Sequence, residues 1–279
     1  MQIIKSSKEL HSQMLQYREE GKTIGFVPTM GALHEGHISL VSQCRSENDV
    51  VVVSIFVNPT QFNDPKDLER YPRTLEADTA MLEKAKCDII FHPEVNEMYP
   101  EKDTRVFEFG QLDKVMEGKH RPGHFNGVAQ VVTKLFDIVV PHKAYFGEKD
   151  FQQLAIIQYF VKQLKYDIQI IPCPIVREPD GLAMSSRNKL LTPEHRAAAP
   201  LISKIIFESK KLKGSKKVDE LKQWVIGQIN NNELLKVEYF ELSDRYTLQP
   251  IKNWEDSKDV VGCIAVFAGK IRLIDNVLY

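Results

Sequence analysis

Over residues 1–175, short uninterrupted runs of β-branched residues alternate with longer stretches whose apolar residues recur every third or fourth position. The runs at 23–27, 50–57 and 88–91 are too short for helices and apolar on both faces, as strands buried in a parallel sheet are. The stretches at 36–46 and 75–86 read as the helices between them. Val128, Val131, Val132, Leu135, Phe136 and Val139 line one helical face, which Pro141 ends. A strand ending at 144–147, a helix marked by Leu154, Ile157, Val161 and Leu164, and a strand at 168–171 continue the alternation. This order predicts an α/β fold, a Rossmann-like, doubly wound parallel sheet covered by crossover helices.

The pattern changes near Ile175. Pro172, Pro174 and Pro179 punctuate the chain, polar and helical segments follow over 192–230, and strand-like runs return at 237–242, 260–268 and 271–274. Gly269-Lys270 between the last two runs reads as a hairpin turn. The expected organisation is a domain over 1–175 carrying the parallel sheet and a smaller C-terminal α+β domain over 176–279.

Composition narrows the partners. Hydrophobic residues make up 43% and charged residues 27% of the 279, enough for a sizeable core. The 37 Lys and Arg balance the 38 Asp and Glu to a net charge of -1, so no overall positive field holds a polyanion and no nucleic acid partner is expected. No apolar run approaches the roughly 20 residues that cross a bilayer. The N-terminus shows neither a long apolar core nor a small-residue cleavage site, so a cytoplasmic protein without membrane contact is expected. Cys44, Cys87, Cys173 and Cys263 are widely spaced in apolar stretches and form no C-x-x-C pair. They read as buried free thiols, and no metal site is expected from them.

Three polar motifs carry candidate chemistry. The first, Pro28-Thr29-Met30-Gly31-Ala32-Leu33-His34-Glu35-Gly36-His37, lies between a strand end and a helix start. In an open α/β sheet ligands bind outside the carboxyl ends of the strands, and the first turns of helices offer unpaired N–H groups to phosphate oxygens. Gly31 and Gly36 allow close approach, while His34 and His37 bring donors for the charge that gathers on a departing pyrophosphate. A structural turn with two surface histidines is the competing reading. The second motif, Gly147-Glu148-Lys149-Asp150, closes a later strand. Lys149 suits triphosphate oxygens or a solvated surface; Asp150 suits a ribose hydroxyl or an ordinary helix N-cap. In the third, Met184-Ser185-Ser186-Arg187-Asn188, two hydroxyls beside a guanidinium suit a phosphate clamp, or a polar loop that caps the next element.

His34-x-Gly-His37 and Met184-Ser185-Ser186-Arg187 resemble the paired signatures of the nucleotidylyltransferase and class I aminoacyl-tRNA synthetase superfamily. Within it, four blocks are similar, in order and across nearly the whole chain, to those of the pantothenate synthetase family. They are Phe26 to His37, Ile55-Phe56-Val57-Asn58-Pro59-Thr60-Gln61-Phe62, Phe146 to Gln153, and Val176-Arg177-Glu178 to Asn188. The resemblance implies an AMP-forming ligase that makes a C–N bond. It would condense (R)-pantoate with β-alanine through a pantoyl adenylate to give pantothenate, using ATP accompanied by Mg2+, as a homodimer.

The resemblance also implies residue roles. Met30, Gly31, Ala32, Leu33, His34, Glu35, Gly36, His37, Gly147, Glu148, Lys149, Asp150, Val176, Met184, Ser185, Ser186 and Arg187 would bind ATP. His34, His37 and Lys149 would be catalytic, His37 as the family's proton donor; hydrogen bonding and charge without formal proton transfer is the other reading. Gln61 would hold pantoate and β-alanine, Gln153 pantoate, and Asn58 would join the substrate site, although sequence alone equally allows surface glutamines. Residues 63–73, charged and bearing Pro65 and Pro72, read as a lid over that site. Lys119-His120-Arg121-Pro122-Gly123-His124 is family-like and basic, with helix initiation as its simplest role. A nucleotidylyltransferase acting on a phosphorylated small molecule would share the His34 and Met184 motifs and is the alternative, which the Asn58 to Gln61 block disfavours.

Overall fold

In the computed structural model, which describes all residues from Met1 to Tyr279, the short apolar runs become strands and the amphipathic stretches become helices. Along the chain run β1 (Gln2–Ile4), α1 (Ser7–Glu19), β2 (Ile24–Thr29), α2 (Glu35–Glu47), β3 (Val50–Ile55), α3 (Pro65–Arg70) and α4 (Leu75–Lys84). There follow β4 (Ile89–Phe91), α5 (Val95–Met98), α6 (Met116–His120), α7 (His124–Val139), β5 (Lys143–Gly147), α8 (Phe151–Gln163) and β6 (Gln169–Cys173). The remainder holds α9 (Pro193–Ala198), α10 (Leu201–Lys210), α11 (Val218–Asn230), β7 (Leu235–Asp244), β8 (Val260–Ala268) and β9 (Ile271–Leu278). No helix is long and apolar enough to cross a membrane. The four cysteines are free and buried, and burial pushes the Cys87 and Cys173 thiols up to about 12.

The chain divides into two compact units. The first comprises Met1–Phe109, Arg121–Glu148 and Ile156–Cys173; the second comprises Gly110–His120, Lys149–Ala155 and Pro174–Tyr279. The second thus includes two stretches that precede residue 176 in sequence.

The first unit is built on a parallel sheet in the order β1-β4-β3-β2-β5-β6. Every residue of β3 is buried, as an apolar run covered on both faces requires. The chain fills one side of β2 with β3 and β4 and the other with β5 and β6, so the order reverses between β2 and β5. Pairing across that switch is limited to Gly25 with Lys143 and Phe26 with Ala144, whereas β2 and β3 stay paired as far as Thr29 and Ile55. Pro28 has no N–H with which to extend a ladder. The carboxyl ends of β2 and β5 therefore flank a switch-point crevice, where open α/β sheets bind ligands. On α7 the apolar face is buried along its whole length, and Gly123, at φ 82, begins the helix.

The second unit holds the antiparallel sheet β7-β8-β9 with α9, α10 and α11, around a core that includes Ile202, Ile206, Leu221, Val225, Phe240, Ile264 and Val266. Gly269-Lys270 forms the two-residue turn between β8 and β9. β9 continues to Leu278, beyond the apolar run that ends at Ile274, because Asp275 and Asn276 are buried at 4% and 6% exposure despite their polarity. Their partners explain it. Asp275 receives two hydrogen bonds from the Arg177 guanidinium at 2.7 and 2.9 Å, and Asn276 Nδ2 donates to the Lys149 carbonyl at 3.1 Å.

Polar anchors also explain the two early stretches of this unit. Gln152 accepts the Glu117 N–H at 2.8 Å and donates to the carbonyls of Leu112 and Val115 at 2.6 and 2.9 Å. The Glu117 carboxylate takes the Arg272 guanidinium at 2.6 and 2.8 Å and the Tyr239 hydroxyl at 2.8 Å, while Glu238 binds the same guanidinium. A buried ion pair is favourable only with such full pairing.

Candidate active site

The turn after β2 is shaped by one buried carboxylate. Thr29 Oγ1 donates to the Ser54 carbonyl at 2.7 Å and accepts the Gly31 N–H at 3.1 Å. Gly31 and Ala32 then both adopt left-handed backbone, at φ 79 and 51, a conformation that strains Ala32. Asp78 of α4, 1% exposed, accepts the N–H groups of Ala32 and Leu33 at 2.9 and 2.8 Å and the Thr74 hydroxyl at 3.1 Å. The amides of Ala32 and Leu33 thus serve Asp78.

The first turn of α2, expected to offer unpaired N–H groups, has those of Gly36 and His37 engaged. His34 Nδ1 accepts the Gly36 N–H at 3.1 Å, the His34 carbonyl takes the His37 N–H at 2.8 Å, and His37 Nδ1 accepts the His34 N–H at 3.3 Å. The two histidines cap the helix reciprocally. A ring nitrogen that accepts an N–H carries no proton, so both rings bear theirs on Nε2. The ring centroids are 4.1 Å apart. Glu35 is exposed at the first turn, where a negative charge complements the helix dipole.

After β3 the chain makes a 3₁₀ turn, Pro59–Gln61. Asn58 is fully buried, and its amide is engaged at both ends, by Gly127 and Gln61 on one side and by Thr60 and Tyr99 on the other. Its neighbour Gln61 places Nε2 3.1 Å from Met30 Sδ. Sequence reasoning missed three residues here. Asp78 is an ordinary polar position in a helical pattern, Tyr99 a lone aromatic, and His124 part of a basic block. In the structure His124 is buried and its Nδ1 donates to the Gln61 carbonyl at 2.8 Å.

The other expected residues continue from β5 or lie in the second unit. Gly147 and Glu148 close β5. Lys149 is largely buried, with its carbonyl held by Asn276, and its ammonium is 4.0 Å from the half-exposed Asp150 carboxylate. Gln153 is half-buried on the first turn of α8. Val176 and Met184 are joined by the Met184 N–H to Val176 carbonyl bond at 3.0 Å. Ser185 accepts the Arg187 N–H at 3.3 Å and caps the 3₁₀ turn Ser186–Leu190. Buried Asn188 donates to the Ala183 carbonyl at 3.1 Å, fixing the base of this loop.

Solved structures share this fold. A pantothenate synthetase from Thermus thermophilus superposes with a TM-score of 0.92 at 41% identity, over 99% of each chain. A pantoate-β-alanine ligase from Francisella tularensis, solved with "Beta-gamma ATP" and β-alanine, gives 0.83 at 39% identity, over 100% of this chain and 97% of that one. The parallel sheet and small antiparallel sheet define an enzyme of the α/β nucleotidylyltransferase fold. The match then becomes specific. The pantoate-β-alanine ligase family profile covers residues 2–278, and a pantothenate synthetase from Porphyromonas gingivalis is 55% identical over 279 residues, 100% of this chain and 99% of that protein. The chain belongs to the pantoate-β-alanine ligase family. It is a ligase that joins pantoate to β-alanine through an amide bond.

Proposed function

We propose that the reaction runs through a pantoyl adenylate formed from ATP. A pantoate carboxylate oxygen attacks the α-phosphorus of ATP, the bond to the β,γ-phosphates breaks, and pyrophosphate leaves. The β-alanine amine then attacks the acyl carbon, loses a proton, and AMP departs with the former carboxylate oxygen. Met30 to His37, Gly147 to Asp150, Val176 and Met184 to Arg187 bind ATP, while Gln61 and Gln153 hold pantoate. The leaving pyrophosphate gathers negative charge, and fixed donors in a water-poor site stabilise it best.

The observation that carries this reading is the reciprocal cap of His34 and His37. It orients two Nε2–H donors, and the Lys149 ammonium adds a full charge. A neutral ring already bonded through Nδ1 acts by hydrogen bonding; proton donation would need an imidazolium and would break the cap. Magnesium arrives with the triphosphate. No group of three or more His, Cys, Asp and Glu side chains could hold a metal ion, and the Asp78 carboxylate beside the turn already has three donors. When bound, the ion neutralises phosphate charge.

His37→Ala and Lys149→Ala should each slow single-turnover adenylation on the order of a hundredfold. His37→Gln, which restores an N–H donor, should recover part of the loss. An adenylation rate that falls as pH rises through about 6.5 in the native enzyme, but not in His37→Gln, would instead assign proton donation to His37. The family resemblance further supports a cytoplasmic homodimer. Sedimentation of the purified protein should give twice the chain mass; a monomer across the micromolar range would remove the dimer.

A further inference from the structure

Backbone groups have fixed polarity, and two of them decide how the Asn58 amide lies. The Gly127 carbonyl can only accept, and it is 3.0 Å from Asn58 Nδ2. The Thr60 N–H can only donate, and it is 3.4 Å from Asn58 Oδ1. The amide therefore fits one way round. Its Nδ2 also lies 3.1 Å from Gln61, and a donor there demands the acceptor end of the glutamine, Oε1. The Gln61 NH2 is consequently turned the other way, where it meets only the weakly accepting Met30 sulfur at 3.1 Å.

Tyr99, which follows α5, completes this chain of bonds. Its hydroxyl donates to Asn58 Oδ1 at 2.8 Å and approaches Thr60 Oγ1 at 3.4 Å. Burial raises the tyrosine pKa, so the group remains a donor at physiological pH. The contact depends on a close approach of α7. A Cβ on Gly127 would stand 2.3 Å from the Thr60 carbonyl oxygen, so only glycine lets the helix carbonyl reach Asn58.

We propose that Tyr99 is a positioning residue for the ligase reaction: through Asn58 it holds the Gln61 amide with its NH2 toward the substrate. The subsite then recognises an oxygen that accepts hydrogen bonds, such as a carboxylate or hydroxyl of pantoate, which displaces the Met30 sulfur. The inference rests on the reading of Gln61 as a pantoate-binding residue. The ring contacts of Tyr99, with Phe56 at 6.3 Å between centroids and with the Lys134 ammonium at 5.4 Å, do not involve the hydroxyl.

The test compares pantoate and ATP kinetics in the full-length enzyme for Tyr99→Phe, Gln61→Ala, the double variant, Gln61→Glu and Asn58→Asp. Tyr99→Phe should raise the pantoate KM on the order of tenfold, the worth of one buried hydrogen bond, with the ATP KM within about twofold of native. Asn58→Asp, which replaces the donor by an acceptor, should give the same pantoate-selective rise. In the Gln61→Ala background, Tyr99→Phe should add nothing. Gln61→Glu should be at least as harmful as Gln61→Ala, because it presents an acceptor to an acceptor. If Gln61→Ala leaves the pantoate KM unchanged, the pantoate role of Gln61 falls and the inference with it. If Gln61→Ala is impaired but Tyr99→Phe is not, or Tyr99→Phe is equally harmful in both backgrounds, the positioning role is overturned while that of Gln61 stands. A native pantoate KM in Gln61→Glu would overturn the orientation.

Discussion

His142 shows how a single ring can tie two strands. Its N–H donates to the Ile24 carbonyl at 2.8 Å, and its Nδ1 accepts the Ile24 N–H at 2.9 Å, at the point where β5 meets β2. Burial, with the Arg18 charge second, holds its pKa below 6.5. The folded state thus binds the proton less readily than the unfolded chain. Its contribution is fully present above about 6.5 and is lost as pH falls from there through the folded value. Urea unfolding should accordingly show the native protein losing more stability between pH 7.5 and 5.5 than His142→Asn, which keeps an acceptor but does not titrate; equal losses would contradict the role. Single residues differ in how well the sequence reveals them. His34 and His37 stand out because glycines and a strand end frame them. Asp78 and Tyr99 do not, because their partners come from afar: Asp78 binds amides 45 and 46 positions away, and Tyr99 reaches Asn58 across 41. Nor can sequence show that the His34 and Gly36 N–H groups are already bonded to the histidine rings.

Elements were legible where one physical signal dominated. In α7 the apolar stripe read from Val128 to Val139 is the buried face, and in β3 the unbroken apolar run is a strand buried throughout. β1 escaped notice because it has three residues and buries only Ile4. β9 reads short in the sequence because Asp275 and Asn276 imitate a loop; their bonds to Arg177 and Lys149 are revealed by no periodicity. The segment 63–73 is a further case. It contains the six-residue α3, capped by Asp64 and wrapped at its end by Arg73, which donates to the Leu68 and Tyr71 carbonyls at 3.4 and 3.2 Å. A helix this short has little stability of its own and depends on what it packs against. If it closes over substrate, limited proteolysis within 63–73 should slow markedly when ATP and pantoate are added together. Equal cleavage rates with and without them would remove the lid.

For the whole molecule, the alternation of strands and helices is enough to foresee an α/β fold with a parallel sheet. It could not foresee that 110–120 and 149–155 join the second unit, since that membership depends on Gln152 and on the Glu117 network with Arg272 and Tyr239. The family places pantoate and β-alanine on this scaffold, and the order of chemical steps is the claim on which the roles of His34, His37, Lys149 and Gln61 depend. The most direct test is exchange of labelled pyrophosphate into ATP in the absence of β-alanine. A reversible adenylation step predicts label in ATP only when pantoate is present. No pantoate-dependent exchange, from enzyme that still makes pantothenate when β-alanine is supplied, would contradict the adenylate route.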